Sequence, residues 1–519
     1  MAEQSYASSN DVEKRSAHLV LVYPDFTEDE TTKQELGNYS EGLASISAVL
    51  KQGGHRVSLM HYTYMPTEEE FAARLRELKP DVLGFSIRTT AFPFVKPMLK
   101  WAKRAVDTLT IGGSYHVILM PDEVLAAEGM DAVIVGEGEA PLLKLCDGIA
   151  QRGEIDYGVE SIWYKKPDGE IIKNVVAPLI EDLDTLPFPD HELFDFDNLS
   201  ASRMKTALVM VSRGCVFRCT YCGNSQFRNI YPNRGRYARF RSPDKAIELI
   251  KHLLKKYPYI EFINFRDAIL NMFPKWFEQF IVRYKEEIGL PFTCNLRFDI
   301  LTEEHVRLLK EAGCYLIDVG VESGDEEIRS KYLERNMTNQ NMIDACKWFR
   351  KYGVLTLTYN IVGLPYETLE KALKTVKLNA RLEADRKIPN IFYPYPMTKL
   401  EAIAREGGFF DGNYDKKSRV LLEQPQFPER DVMYIYRSFA HLVKKYRKIY
   451  ALPEEKANKR EQRLDKLITA SWYPRGMIAA LRGFYDKCYR AARRTGLRRL
   501  PKLYMWLRKK KNRLNTAKA

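Results

Sequence analysis

Three cysteines, Cys215, Cys219 and Cys222, stand within eight residues of one another, directly after the apolar stretch Leu208 to Val211. Thiolates bind iron strongly. Three on one loop can hold three irons of a [4Fe-4S] cluster and leave the fourth iron without a protein ligand. An open iron is a place for chemistry. A structural zinc site would ask for four Cys or His ligands, and the nearest histidines, His191 and His252, are remote in sequence. Of the other cysteines, Cys294, Cys314 and Cys346 fall in strand or helix patterns and read as core, while Cys146 and Cys488 have no evident partner.

Two series of alternating strand and helix patterns must position this loop. From Ala17 to about Ala150, apolar runs (HLVLVYP, RVSLMHY, DVLGFSI, TLTIGG, DAVIVGEGE) alternate with helical patterns near Leu43–Lys51, Glu68–Leu78 and Val95–Ala105. That alternation predicts βαβ units and a doubly wound parallel sheet, whose ligands bind at the strand C-termini. Those ends carry Ser86, Gly112, Gly113, His116, Glu137, Gly138 and Glu139. Residues 151–205 read as a linker with a hairpin turned at Pro167-Asp168-Gly169. The second series begins at ALVMVSRGC and continues through FINFRD, FTCNLRFD, CYLIDVGVESG, VLTLTYNIVGLP and NIFYPYP. Six strands of this kind predict a partial (β/α)6 barrel with its chemistry at the strand C-termini. The expected fold class is therefore α/β: a Rossmann-like sheet domain over 17–150, the linker over 151–205, the partial barrel over 206–425 and a basic helical region over 426–519, after a disordered N-terminus over 1–16.

With 519 residues, 45% of them hydrophobic and 12% aromatic, the chain has ample material for packed cores, and global disorder and fibrous repeats are excluded. Eight cysteines are too few for a disulfide scaffold of this length. The polar start MAEQSYASSNDVEK lacks the apolar core of a signal peptide, and no window approaches a membrane span, so a cytoplasmic location is expected. The net charge of +13 is local: residues 431–519 hold 25 Lys/Arg against 6 Asp/Glu, leaving a net −6 for residues 1–430.

The Cys-x3-Cys-x2-Cys spacing after the first strand of a βα series resembles the radical S-adenosylmethionine (SAM) superfamily. That resemblance implies that SAM chelates the open iron and that its reductive cleavage gives a 5′-deoxyadenosyl radical, with electrons from an external flavodoxin- or ferredoxin-like donor. It further implies that Tyr221 lies by the adenine and that Asp267, Arg297, Glu322, Arg335 and Gly363 meet SAM from successive strand ends. The family often shows two adjacent acids where this chain has Arg266-Asp267-Ala268. Glu322 and Arg335 also read as a structural ion pair.

The N-terminal run IGGSYH followed by PDEVL, and then VGEGE, resembles the cobalamin-binding domain that precedes the radical SAM domain in one large subfamily. Ser86, Gly112, Gly113, His116, Glu137, Gly138 and Glu139 are then the expected cobalamin contacts, glycine letting backbone approach the corrin closely. A dinucleotide site is the competing reading, but Gly136-x-Gly138-x-x-Pro141 lacks the third glycine and lies late in the sheet. The loop after the first strand, beginning at Pro24-Asp25, has no His to serve as a lower cobalt ligand.

The resemblance covers about residues 17–425. Beyond it, Met477, Leu481, Phe484, Cys488 and Ala492 recur at helical spacing with Arg482, Lys487, Arg490, Arg493 and Arg494 between them, followed by Leu503 to Leu507 and Arg508 to Lys511. Such a stretch can cap the barrel with its apolar face, lie on an anionic membrane surface, or grip RNA; a nucleic-acid partner is the least expected. The leading functional expectation is C-methylation of an unactivated carbon in a small or lipid-like substrate. The alternatives are an oxidation, cyclisation or rearrangement with the same cofactors, and a non-catalytic sensor. A methylthiotransferase resembles the barrel but needs three further N-terminal cysteines, and residues 1–205 offer only Cys146.

Overall fold

The computed structural model describes residues 16–26, 36–414 and 418–499, with side chains as far as Tyr489. The first fifteen residues, the acidic loop after Phe26, the side chains of Arg490, Ala492, Arg493 and Arg494, and the segments 503–507 and 508–511 lie outside the described residues. The chain forms two compact units: one of residues up to Asp318 with Trp348–Leu355 and Tyr395–Lys399, the other of Val319–Lys347, Thr356–Pro394 and the residues from Leu400 onward.

The first unit opens with a seven-stranded sheet. Its strands are β1 (His18–Pro24), β2 (Arg56–Tyr62), β3 (Val82–Ser86), β4 (Leu109–Gly113), β5 (Ala132–Ile134), β6 (Ile162–Lys165) and β7 (Ile171–Lys173), in the order β2-β1-β3-β4-β5-β6-β7. β1 to β5 run parallel. Every residue of β1 is buried, as a central parallel strand covered on both faces requires. The crossover helices are Glu41–Gln52, Glu68–Leu78 and Phe92–Ala105, close to the expected spans. The second is started by a capping box in which Thr67 and Glu70 each satisfy the other's backbone N–H. Val95, Met98, Leu99 and Ala102 of the third close over Val22, Leu83, Phe85 and Val133 of the sheet. Each such buried aliphatic side chain contributes about 1.5–3 kcal/mol.

The hairpin expected in the linker adds to this sheet: β6 pairs antiparallel with β5, and β7 with β6. The alternation in β6, with Ile162 and Tyr164 buried, gives the short β5 a partner that has one apolar face to cover it. Gly169, at φ +90°, makes the turn.

The same unit continues with β8 (Thr206–Val209), β9 (Ser212–Arg213), β10 (Arg239–Phe240), β11 (Phe262–Phe265) and β12 (Phe292–Leu296), followed by β13 (Cys314–Glu322), in which the division between units falls. β8, β11 and β12 are parallel neighbours. The second unit holds β14 (Leu355–Val362) and β15 (Arg386–Ile391), also parallel. β15 starts and ends earlier than the run NIFYPYP suggests and includes Pro389, which pairs in register with Asn360. The core of this unit joins Leu373, Val376 and Ala380 to Ile435, Phe439, Leu442 and Tyr446 of the helix Glu429–Tyr450. Among the described residues no helix is long and apolar enough to cross a membrane.

Candidate functional site

The loop that carries the three cysteines is tied at its neck. β9 and β10 form a two-residue antiparallel ribbon, Arg213 opposite Arg239 and Ser212 opposite Phe240, so residues 214–238 are closed into one excursion. Gly214 sits at φ +77°, and a Cβ there would stand 2.3 Å from the Tyr237 carbonyl oxygen, so only glycine fits where the loop leaves the ribbon. Cys215 and Cys219 are buried and Cys222 is half-buried. The loop is braced by Ser225 Oγ donating to the Cys219 carbonyl at 2.9 Å, Arg228 donating to the Cys215 carbonyl, and Tyr237 donating to Asn224 at 2.9 Å. Cys215 also packs with Ile269 and Met272.

Arg297, buried just after β12, donates to Cys219 Sγ at 3.4 Å. Its other nitrogens bind Asp299 in fork geometry, at 2.6 and 3.0 Å, and its guanidinium lies 3.7 Å above the Phe217 ring. Burial pushes the Cys215 thiol pKa up, and Cys222 and Cys219 push it further; a backbone hydrogen bond at Phe217 and the Arg297 charge work the other way. An arginine fixed at this place favours the thiolates that iron needs. Asp267, fully buried after β11, accepts from Val211 N at 2.9 Å and from Ser212 Oγ. Burial raises its pKa to about 6 against those hydrogen bonds, and its Oδ2 is buried without a hydrogen-bond partner. Tyr221 is half-buried between Cys219 and Cys222.

The strand ends of the first sheet lie in the same compact unit. Ser86 ends β3 and is in register with Gly113, which ends β4. A Cβ at Gly113 would enter open space, whereas one at Gly112 would press on Ile87 and Met130 at 3.2 Å, so Gly112 serves packing and Gly113 does not. Next comes the short helix Tyr115–Leu119. His116 is buried against Phe92, with ring centroids 4.7 Å apart, and burial brings its pKa down to about 4. Neither ring nitrogen is hydrogen-bonded, Glu123 Oε2 standing 3.9 Å away. Tyr115 instead reaches the cysteine loop, stacking on Phe227 with centroids 5.3 Å apart. Tyr115 and Tyr395 are both exposed by surface area, at 59% and 43%, yet burial raises both phenol pKa values and the Cys222 thiol raises them further. Both phenols therefore stand near the Cys222 thiol.

Glu137 and Glu139 are held by arginines from the neck of the cysteine loop. Glu137 accepts from Arg213 at 3.0 Å, from Arg239 at 2.8 and 3.1 Å, and from the Ile180 N–H at 3.1 Å. Glu139 accepts from Ser45 Oγ at 2.7 Å and from Arg213. Burial works to raise the Glu137 pKa, but the Arg239 hydrogen bond and the Arg213 charge leave it below the usual carboxylate range. Gly138, between the two acids, caps the helix Glu139–Arg152. Sequence reasoning missed this clamp; the acids of VGEGE and the arginines of SRGC and ARFRS were its visible signal.

In the second unit Glu322 ends β13 at φ +60°, and its carboxylate folds back over Gly320, where a Cβ would meet Oε1 at 2.2 Å and Arg335 Nη2 at 3.3 Å. Arg335 donates to the Gly320 carbonyl at 2.7 Å, so Glu322 and Arg335 are brought together. Gly363, at φ +84°, directly follows β14 and donates its N–H to Glu367 Oε2 at 2.6 Å; the Leu364 N–H donates to the same oxygen at 3.1 Å. Glu367 was not singled out from the sequence, where it reads as a turn acid before the helix cap Thr368.

These residues suit the groups that the sequence implies. The donor set fits a [4Fe-4S] cluster: three thiols sit on one closed loop, with a cation donating to the Cys219 sulfur. No atom stands within 4 Å of a Cβ built at Gly113, in register with Ser86, and both buried ring nitrogens of His116 lack a hydrogen-bond partner, which fits close approach of a large ring to these strand ends.

The family model for the radical SAM superfamily matches residues 209–378, and that for the B12 binding domain matches residues 38–145. An uncharacterized methyltransferase of Pyrococcus horikoshii is 30% identical over 338 residues, 64% of this chain and 71% of that one. An anaerobic magnesium-protoporphyrin IX monomethyl ester cyclase of Rubrivivax gelatinosus is 28% identical over 369 residues, 69% of this chain and 65% of that one. Among solved structures, the radical SAM methyltransferase TsrM from Kitasatospora setae, with cobalamin and a [4Fe-4S] cluster bound, superposes with a TM-score of 0.60 at 17% identity, covering 75% of each chain. A chain with both domains in this order, and with a relative of this identity and coverage, belongs to the family of radical SAM enzymes that carry a B12-binding domain and use a [4Fe-4S] cluster, SAM and cobalamin.

Proposed function

We propose that this enzyme is a cobalamin-dependent radical SAM methyltransferase that methylates an unactivated carbon of a small or lipid-like molecule. The observation that carries the reading is the approach of the two cofactor regions within one unit, where Tyr115, beyond the strand end at Gly113, stacks on Phe227, five residues past Cys222. A methyl group handed from cobalamin to a substrate carbon needs those regions to share one cleft. When bound, the cluster and SAM supply a hydrogen-abstracting radical, and cobalamin supplies a transferable methyl group.

This chain's residues do the rest. Cys215, Cys219 and Cys222 would hold the cluster, and Arg297 keeps a positive charge beside the Cys219 sulfur. Tyr221, Glu322, Arg335 and Gly363 orient SAM, with Asp267 fixing the start of the loop through Val211 and Ser212. Ser86, Gly113 and His116 line the corrin side, with Gly112 packed on Ile87 and Met130 beneath them. Glu137, Gly138 and Glu139 serve that side through the arginine clamp, which holds the B12-binding sheet against the loop. Tyr115 and Tyr395 stand beside Cys222, Tyr115 between the loop and the strand end at Gly113. Electrons come from a flavodoxin- or ferredoxin-like protein, in keeping with a cytoplasmic enzyme.

A second reading, ring formation or oxidation without methyl transfer, is favoured by the similarity to the Rubrivivax gelatinosus cyclase. Anaerobic incubation of the reconstituted protein with cobalamin, a strong reductant and SAM bearing a deuterated methyl group separates the two. Deuterium recovered on the corrin, together with 5′-deoxyadenosine, is the expected outcome. Deoxyadenosine with an unlabelled corrin would overturn methyl transfer in favour of the second reading.

A further inference from the structure

The helix Arg475–Arg499 is turned opposite to the usual arrangement of a surface helix. Small residues face inward: Ala479 and Gly483 are buried, and Cβ atoms on Gly476 and Gly483 would lie 3.3 Å from Arg430 Cγ and 2.5 Å from Arg437 Nη1 of the helix Glu429–Tyr450. Arg437 donates to the Ala479 carbonyl at 2.8 Å. The start is pinned by buried Arg475, which pairs with Asp431 at 2.7 Å and donates to the carbonyls of Ile468 and Ala470 at 2.7 and 2.9 Å. Turning that face inward forces the apolar positions outward. Leu481 is 63% exposed and Phe484 70%, with Met477, Tyr485 and Tyr489 along the same side and Trp472, 72% exposed, just before the helix. Single exposed apolar residues need no explanation, but a contiguous run of aromatic and aliphatic side chains marks an interaction surface. The capping arrangement, with Met477, Leu481 and Phe484 packed on the barrel, is thus not adopted.

Charge says what covers it. Lys444 and Lys445 on the adjacent helix and Lys487 on this one are exposed. The field there is positive: besides burial, Arg482, Lys445 and Lys444 hold the His441 pKa down. From residue 470 to the end the sequence has 15 Lys/Arg and one acid, Asp486. A helix lying flat with an apolar side, interfacial Trp and Tyr, and cations at its flank has the chemistry of an interfacial anchor. Aliphatic Leu481 and Met477 suit acyl chains, whereas an RNA grip would need only the cations and flat rings.

We propose that the exposed side of the helix Arg475–Arg499, with Trp472 and the lysines of the adjoining helix, docks this enzyme on an anionic phospholipid surface.

The test is co-sedimentation of the full-length protein with vesicles of phosphatidylglycerol and phosphatidylcholine, against pure phosphatidylcholine. The expected result is binding to the anionic vesicles, weakened at least about tenfold by Leu481→Glu/Phe484→Glu, since each side chain loses its apolar burial and gains repulsion. Lys444→Glu/Lys445→Glu weakens it too and flattens its salt dependence. All four positions are solvent-facing, so an unchanged melting temperature should accompany both variants; Trp472→Ser is a second, smaller truncation for the same comparison. Protein left in the supernatant overturns the proposal, as does vesicle binding that Leu481→Glu/Phe484→Glu leaves intact. Tighter binding of single-stranded RNA than of vesicles, lost in the same variant, assigns the surface to nucleic acid. A dimer by light scattering that this variant dissociates assigns it to a second copy of the chain.

Discussion

Glu367 holds the turn after β14 by accepting two backbone N–H groups on one oxygen, while its other oxygen is buried without a partner. Burial lifts its pKa to about 8, so near neutrality the folded chain keeps a proton that the unfolded chain, with an ordinary carboxyl, has lost. A folded-state pKa above the unfolded one means stability that is full below about pH 4.5 and declines as pH rises towards 8, by up to about 1.4 kcal/mol per pH unit from this group. Glu367→Gln keeps an acceptor for Gly363 and Leu364 and removes the titration. Urea unfolding from pH 6 to 8.5 should therefore fall less steeply in the variant, which should be the more stable protein at pH 8.5; parallel curves would show that Glu367 ionises normally. The three cysteines were legible in the sequence because they lie within eight residues of one another on one loop. Glu367 was not, because its environment is made by Leu364 and by Gln424, which donates to the Leu364 carbonyl at 3.0 Å from 60 residues away. Cys219→Ala, which removes a proposed iron ligand and the Arg297 acceptor, should lose the cluster's visible absorption and all deoxyadenosine production; retained SAM cleavage would disprove the ligand assignment.

The β9–β10 ribbon does two tasks with four residues: it closes the cysteine loop and presents Arg213 and Arg239 to Glu137 and Glu139. Gly214→Ala puts a methyl group against the Tyr237 carbonyl at a φ that costs an L-residue about 1–2 kcal/mol even without the clash. Iron and sulfide per chain after reconstitution should drop below about half, and full loading would show that the ribbon does not shape the loop. Arg213→Met leaves Glu139 and part of Glu137 buried without their cation, a change that typically costs about 3–5 kcal/mol. Arg213→Met/Glu139→Met removes both charges and should recover much of that loss in urea unfolding, whereas additive losses would mean that the pair is not coupled. The strands themselves could be read from apolar runs, because burial on both faces of a parallel sheet leaves a local signature. The clamp could not, because it joins residues 74 to 102 apart whose charges look like ordinary surface residues until packing brings them together. The last helix was misleading for a related reason. Its apolar spacing was visible, but so were Gly476, Ala479 and Gly483, and close helix approach through small residues decided which side faced inward.

At the scale of the molecule, the B12-binding sheet, the cysteine loop and the clamp that joins them belong to one compact unit. A ligand that binds only the folded form stabilises it by about 2.7 kcal/mol at a hundred times its dissociation constant. Stabilisation felt at the sheet should then reach the loop through Arg213 and Arg239, whose partners lie on the segment following β5. Cobalamin added to the cluster-free protein should slow amide hydrogen exchange both at the strand ends 86–88 and 112–117 and across the loop 214–238. In Glu137→Gln/Glu139→Gln, which weakens the charge pairing while keeping similar shape, protection should remain at the strand ends and fade from the loop. Protection confined to the sheet in the unaltered protein would show that the two regions open independently. The clamp would then be a local salt bridge, without the part assigned to it in holding one cofactor region against the other.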